Sequence, residues 1–122
     1  MKCKVVIFGE DKTQKFSCEG ELILRKAGFS LSYVFDGNKC LLSYDGEILY
    51  HQQKGEIPVN LEFVANKKTL CKIGEGNFCG EFPVLTHILQ VQLGTQNISV
   101  NVVYELNGDK KQMQIFAEFE GV

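Results

Sequence analysis

Hydrophobic and polar residues alternate with a period of two along most of the chain. In FSLSYVF, residues 29–35, phenylalanine, leucine and tyrosine would face one way and two serines the other. Successive side chains of a β-strand point to opposite faces, so this pattern predicts a strand with one buried face. KCKVVIF at residues 2–8 and NISVNVVYEL at residues 97–106 repeat it. No segment has a convincing helical period, and the strand is predicted to be the main element.

Turn signals separate the strands at short intervals. Asp36-Gly37 and Asp45-Gly46 are residue pairs that tight hairpins need, because the central positions of those turns have positive φ. Gly94-Thr95 and Asn107-Gly108 mark two further turns, and a polar loop, GEDKTQK, follows the first strand. Ten strands are predicted, at residues 2–8, 16–24, 29–35, 39–44, 47–53, 58–63, 69–73, 82–93, 97–106 and 111–119.

The order of these elements predicts the fold class. Consecutive hairpins without long crossovers describe an antiparallel meander. A meander with open edges would pair with other chains, so the sheet must close or fold on itself. Gly20, inside the second strand, is expected to mark a bulge or a bend. At 122 residues the chain has the size of one domain. We therefore predict an all-β protein, a single closed antiparallel barrel spanning residues 1–122.

Hairpin geometry predicts the surroundings of His51. If Asp45-Gly46 is a two-residue loop, His51 lies opposite Cys40 on the apolar face of its hairpin. A thiol nucleophile needs a base within hydrogen-bond reach, and the pattern supports no other such pair. No third group is placed to orient the imidazole, so buried neighbours are the more typical explanation.

The same reasoning predicts the position of His87. If Gly94-Thr95 is a two-residue loop, His87 lies opposite Val102 and shares the apolar face, as a buried and neutral imidazole. The neighbouring residues are apolar on both sides of the strand, which also suggests a bulge within residues 86–89. A bulge there would turn His87 outward.

Charge and hydropathy exclude several classes of partner. The net charge is −2 with both signs interspersed, whereas nucleic-acid-binding proteins usually carry a basic stripe. No apolar stretch approaches the roughly 20 residues of a membrane helix, and the N-terminus lacks the apolar region of a secretory signal. We expect a cytoplasmic protein whose partners include neither nucleic acid nor a membrane.

The cysteines and the glycine-rich segment offer little chemistry. The five cysteines are odd in number and widely spaced, so we expect reduced thiols and no metal site, since structural zinc sites usually bring two ligands close together in sequence. GEGNFCGE, residues 74–81, lacks the Lys-Ser/Thr of a phosphate-binding loop. We interpret Gly76, Phe78 and Gly80 as parts of a flexible rim loop, and no cofactor is predicted.

Three segments resemble the YwiB-like family of small bacterial proteins of unknown function. They are GELILRKAGFSLSY, then GEILYHQQKGEIPVNLEF, then NFCGEFPVLTHILQV leading into NVVYELNGDKKQMQIFAEF. The likeness covers nearly the whole chain and includes Gly20, Tyr33, Lys54-Gly55, Phe78-Cys79-Gly80, Thr86, Leu89 and Val91. It implies a closed barrel of the calycin, or lipocalin-like, type in the bacterial cytoplasm. The family offers no established active site to transfer.

An interior row of polar groups suggests a binding function. The row comprises Tyr33, Cys40, His51, His87 and Tyr104 among leucines and phenylalanines. Ligand pockets are likewise mostly apolar with a few polar groups that orient the guest. We therefore expect a non-enzymatic protein that binds a small, largely apolar ligand in the barrel lumen.

Two other functions stay open. The first is a structural or interaction module with a filled barrel, in which an outer row containing Leu41, Ile48 and Tyr50 contacts a protein partner or a second copy of the chain. The second and weaker one is a Cys/His hydrolase or thiol enzyme using Cys40 and His51. The sequence identifies neither the ligand nor the pathway, and it does not separate a filled lumen from an empty one.

Overall fold

The computed structural model describes residues 1–9 and 15–120. The strands are β1 (Lys2–Phe8), β2 (Lys15–Leu24), β3 (Phe29–Phe35), β4 (Asn38–Tyr44), β5 (Leu49–Lys54), β6 (Val59–Phe63), β7 (Lys68–Ile73), β8 (Gly80–Leu93), β9 (Asn97–Leu106) and β10 (Asp109–Phe119). A 3₁₀ turn, Gly76–Phe78, precedes β8. Each predicted strand is found, with ends that agree within two residues. Most of the polar loop expected after the first strand, residues 10–14, lies outside the described residues.

The strands form a closed antiparallel barrel. Each strand pairs with the next one in sequence, and β1 pairs with β10 to close the sheet. Closure gives every strand two neighbours, which removes the open edges that would template aggregation. The predicted single meander barrel is therefore confirmed. Within the described residues, no helix has the length and apolar character needed to cross a membrane.

Packed side chains from all ten strands occupy the interior of the barrel. The largest of those that are fully buried are Phe29, Phe63, Leu22, Leu31, Leu42 and Leu49. Each such side chain stabilises the fold by roughly 1.5–3 kcal/mol relative to an exposed one. Burial on this scale explains why a chain of this length folds around one core.

The hairpin between β4 and β5 has a longer loop than predicted. Tyr44 pairs with Leu49, which leaves residues 45–48 in the turn. The Asp45 carboxylate accepts hydrogen bonds from the backbone N–H groups of Glu47 at 2.9 Å and Ile48 at 2.7 Å. Asp side chains commonly stabilise turns in this way. The two-residue loop is therefore wrong, but the shift in register is two residues and each side chain keeps its predicted face.

The hairpin between β8 and β9 departs from the prediction in the same way. Leu93 pairs with Ile98, and the backbone N–H of Gly94 donates to the carbonyl of Asn97 at 2.8 Å. The predicted two-residue loop at Gly94-Thr95 is wrong, because the turn is again two residues longer. Between this loop and residue 88 the predicted faces are kept, and Leu89 and Val91 still pack against the core.

A bulge in β8 reverses the predicted orientation of His87. Thr86 pairs with Tyr104 and Ile88 pairs with Val103, so His87 is the extra residue between them. Thr86 is buried, whereas His87 and Ile88 are exposed. The predicted burial of His87 is wrong, because the bulge places two consecutive side chains on the outer face.

Gly20 marks a close approach of β2 to its neighbouring strands and not a bulge. The register between β1 and β2 runs through Gly20 without a shift. A Cβ atom there would lie 2.9 Å from the carbonyl oxygen of Ser32 and 2.9 Å from Cγ2 of Val5. The absence of a side chain lets β2 settle against the core at this point.

Candidate functional site

A cleft of about 480 Å³ lies on the outer side of the barrel, across strands β1 to β5. One row of outward residues along it is Lys2, Glu21, Ser32, Leu41 and Gln52, and a second row is Val34, Lys39 and Lys54. Glu19, Gly20, Tyr33 and Cys40 complete the lining. The volume falls within the range of about 300–1,000 Å³ that small-molecule sites usually have.

The centre of the cleft is apolar. Val34 is 56% exposed, and Leu41 is half-buried on the neighbouring strand. Ser32, the Cα partner of Leu41, has a small side chain that leaves the space beside them open. A guest that covers these aliphatic groups removes apolar surface from water, which is worth about 25 cal/mol per Å².

The two ends of the cleft differ in charge. The carboxylates of Glu19 and Glu21 lie on β2 at one end, with Lys2 beside them on β1. The ammonium groups of Lys39 and Lys54 lie on β4 and β5, at the other end. One end is therefore of mixed charge and the other is positive, with the aliphatic centre between them.

A polar cluster lies behind the cleft, inside the barrel. The Tyr33 hydroxyl shares a 3.1 Å hydrogen bond with Nε2 of His51, and Tyr33 pairs across the sheet with Cys40. Nδ1 of His51 is buried and has no hydrogen-bond partner among the described residues. Burial lowers the pKa of His51 to about 4 and raises the pKa values of Tyr33 and Cys40 above their usual values.

The structure places Cys40 and His51 near each other but does not pair them directly. The Cα partner of Cys40 is Gln53, and the Cα partner of His51 is Leu42. The predicted direct pairing is wrong because the turn at residues 45–48 is two residues longer. The thiolate is the nucleophilic form of cysteine, and its raised pKa leaves Cys40 a protonated thiol at neutral pH. The geometry of Cys40 and His51 therefore does not support a thiol-enzyme mechanism.

The remaining predicted lumen residues lie elsewhere. Tyr104 is buried on β9, with its ring centroid 4.8 Å from that of Phe63. His87 lies on the outer surface, where its Nε2 is 2.7 Å from Oε2 of Glu105. The predicted interior row is therefore divided. Tyr33, Cys40 and His51 form one cluster, Tyr104 is buried separately, and His87 lies on the surface.

The two glycines of the predicted rim loop lie outside the cleft. Gly76 lies in the 3₁₀ turn with φ of +64°, where no atom of the described residues lies within 4 Å of an added Cβ, and Gly80 begins β8. Phe78 belongs to the same turn, and the position of its side chain lies outside the described structure. Among the described residues, no group of three or more His, Cys, Asp or Glu is arranged to hold a metal ion.

Sequence reasoning missed several residues of the cleft. Val34 carried a signal, because it is an aliphatic residue on a face otherwise occupied by serines in β3. Lys39 and Lys54 carried none, because their proximity depends on the register of the hairpin between β4 and β5. Leu41 was identified as an outward apolar residue, and the structure places it inside the cleft.

Acid should destabilise the barrel through His51. In the unfolded chain the imidazole has a pKa of about 6.5, and in the fold its pKa is lowered to about 4. The unfolded state therefore binds the extra proton between these pH values, and stability falls as the pH drops through that window. When the pH falls from 7 to 4.5, the free energy of unfolding should drop by about 2 kcal/mol less in His51→Phe than in the unmodified protein.

Urea unfolding at the two pH values measures this difference. His51→Leu also removes the imidazole, so it should show the same smaller acid loss as His51→Phe. Equal acid losses in His51→Phe and the unmodified protein would contradict the burial of the His51 ring nitrogens.

Fold and cleft together define the class of this protein as a small, closed, antiparallel β-barrel with a recessed outer surface. The chain belongs to the family described as a domain of unknown function, DUF1934, whose model matches residues 2–117. Its structure is similar to the crystal structure of the ywiB protein from Bacillus subtilis, with a TM-score of 0.72. The two chains are 18% identical over 99% of this chain and 89% of that one, a level at which the likeness establishes the fold. The family match and this likeness confirm the resemblance to the YwiB-like family. No curated protein matches the chain.

Proposed function

We propose that this barrel is a non-enzymatic binding protein for a small, largely apolar ligand, and that the ligand lies in the outer cleft. The observation that carries the proposal is an aliphatic centre, Val34 and Leu41, left open to solvent inside a recess of small-molecule size. Sites of this kind combine an apolar body with a few polar groups that orient the guest. Ser32 and Gln52 supply such groups beside Leu41.

The lumen is the second location for the same function. Its support is Nδ1 of His51, a buried ring nitrogen without a partner among the described residues. Against it stand the buried side chains that all ten strands contribute to the interior. A guest there would have to displace large side chains such as Phe29 or Phe63, because protein interiors are close-packed. The outer cleft needs no such rearrangement.

An interaction module is the alternative function, with a second copy of the chain as its partner. One outer face supports it: amide groups join β8, β9 and β10, with Gln90 bonded to Asn101 at 3.4 Å and Asn101 to Gln112 at 2.9 Å. Exposed Ile88 lies on the same face. Uncharged amides both donate and accept hydrogen bonds, so such a face can pair with a copy of itself. Native mass spectrometry separates the two functions, because it reports bound small molecules and oligomeric state together.

A fluorescent apolar probe tests the proposed cleft. N-phenyl-1-naphthylamine is uncharged and brightens when it leaves water, so a titration gives its dissociation constant. We expect Leu41→Gln to weaken binding about tenfold, because a polar side chain replaces roughly 50 Å² of apolar contact surface at the centre of the cleft. The matched control is Leu70→Gln, the same substitution at an outward, half-exposed position of β7.

The same titration separates the cleft from the lumen. A ligand in the cleft predicts that His51→Leu binds the probe as the unmodified protein does. Loss of binding in His51→Leu with no loss in Leu41→Gln would move the site into the lumen. Failure of the unmodified protein to bind the probe would overturn the proposed function.

A further inference from the structure

We infer that the ligand of the outer cleft is an amphipathic anion, with its charged group between Lys39 and Lys54 and its apolar body over Val34 and Leu41. The inference rests on the proposed function and names the chemical class of its ligand: a carboxylate, sulfonate or similar single anionic group attached to a small apolar body.

The first observation is a pair of like charges with no carboxylate partner among the described residues. Lys39 and Lys54 are Cα partners on β4 and β5, and both point to the outer face. Cβ atoms of such directly opposed residues lie about 4.5–5.5 Å apart, and like charges in this position destabilise a sheet. Neither ammonium group has a carboxylate within 4 Å in the part of the chain that the structure describes. A bound anion would convert this repulsion into attraction.

The second observation is that the carboxylates of the cleft have cations as cross-strand neighbours. Oε2 of Glu21 lies 3.6 Å from the N-terminal ammonium group, and Lys2 is the Cα partner of Glu21. Glu19 has Lys4 as its Cα partner across the same pair of strands. Lys39, by contrast, has Val34 and Lys54 as its cross-strand neighbours, so the charge that lacks an opposite neighbour across the sheet is the positive charge on β4 and β5.

The third observation is that the unpaired charges adjoin the aliphatic centre. Val34 is the Cα partner of Lys39, so Val34, Lys39 and Lys54 form one continuous row across three strands. Leu41 lies two residues from Lys39 on the same face of β4. A ligand whose anionic group contacts the two lysines therefore places its apolar body against Val34 and Leu41.

The chemistry of lysine limits how selective this end of the cleft is. An ammonium group is a compact point charge on a flexible stem, and it lacks the planar fork by which arginine recognises an anion in two-point geometry. The lysine pair should therefore recognise charge and not the shape of the anionic group. Carboxylates and sulfonates with the same apolar body should bind with similar affinity.

Two probes with the same rings test the inference. 8-Anilinonaphthalene-1-sulfonate carries a sulfonate, and N-phenyl-1-naphthylamine is its uncharged counterpart. We expect the sulfonate to bind more tightly, with an advantage that shrinks as salt is added. Lys39→Gln and Lys54→Gln should each weaken binding of the sulfonate two- to fivefold, as removal of an exposed charge contact does, and leave the uncharged probe within twofold. Lys72→Gln is the charge-matched control, at an exposed position of β7 outside the cleft.

The outcomes separate this inference from the proposed function. Equal affinity for the two probes, or equal effects of Lys39→Gln on both, would overturn the anionic ligand while leaving an apolar site in place. Absence of binding for the uncharged probe would overturn the proposed function itself.

Thermal unfolding without ligand gives an independent measurement. Because the lysine pair is repulsive, Lys54→Gln should unfold at the same or a higher temperature than the unmodified protein at low salt. A lower unfolding temperature would show that the pair has a structural partner, and it would contradict the inference.

Discussion

Gly28→Ala should destabilise the barrel by about 3 kcal/mol, the upper end of the cost of overpacking. An added Cβ at Gly28 would overlap the carbonyl oxygen of Tyr44 and would lie 2.6 Å from its carbonyl carbon. Both are backbone atoms of the neighbouring hairpin, so no side chain can rotate to make room. The turn at residues 25–28 therefore has to move away from the turn at residues 45–48.

Gly37→Ala is the matched control for this effect. Gly37 has φ of +76°, and among the described residues no atom lies within 4 Å of an added Cβ. Its replacement should cost about 1 kcal/mol, the penalty of a left-handed backbone for an L-residue. Urea unfolding followed by far-ultraviolet circular dichroism measures both variants. Equal losses in the two would contradict the close approach of the turns.

Phe63→Ala should cost about 4 kcal/mol, as the truncation of a fully buried phenylalanine usually does. Phe63 is 0% exposed, and its ring packs against that of Tyr104 at an interplanar angle of 60°. Truncation removes this contact and leaves a cavity that the closed sheet cannot collapse around. The size of the loss also reports how densely the lumen is packed.

Phe16→Ala provides the comparison at the surface. Phe16 is 44% exposed and contacts the ring of Phe35 at a centroid distance of 5.3 Å. Its truncation should cost about 1 kcal/mol, the value of one aromatic pair. A loss as small as this for Phe63→Ala would indicate free space in the lumen, and it would favour the lumen as the ligand site.

Period-two patterning predicts the strands and their buried faces well, and the reason is physical. Burial sorts the side chains of each strand into two sets, so an error of two residues in pairing leaves both sets on their correct faces. Tyr33 and His51 point inward as predicted for this reason. The partner of each residue is less predictable, because it depends on the loop.

Loop chemistry and the bulge account for the errors. The carboxylate of Asp45 stabilises a four-residue turn where Asp-Gly suggested two. With the predicted turn, Lys39 would have paired with Gln52, and in the structure it pairs with Lys54. The pairing of Lys39 with Lys54, on which the inference of an anionic ligand rests, thus depends on whether the loop has two residues or four. At His87 a single extra residue in β8 reversed the face, because a bulge shifts the alternation by one.

The cleft itself depends on which outward residues of β1 to β5 become neighbours, and patterning does not contain that register. Gly20 suggested a bulge from sequence, but in the structure it is a point where an added side chain would meet Ser32 and Val5. The pattern therefore identified Tyr33 and Cys40, whose side chains are buried behind the cleft, but not the outward residues that form it.

The most direct test of the account is to locate the bound probe by NMR. N-phenyl-1-naphthylamine is added to isotope-labelled protein, and the shifts of backbone amides and ring protons are followed. A ligand in the outer cleft predicts the largest shifts at Val34, Leu41 and Gln52, with nuclear Overhauser contacts from the probe to the methyl groups of Val34 and Leu41. Contacts from the probe to the rings of His51 and Phe63, with the cleft amides unchanged, would contradict the account and place the ligand in the lumen.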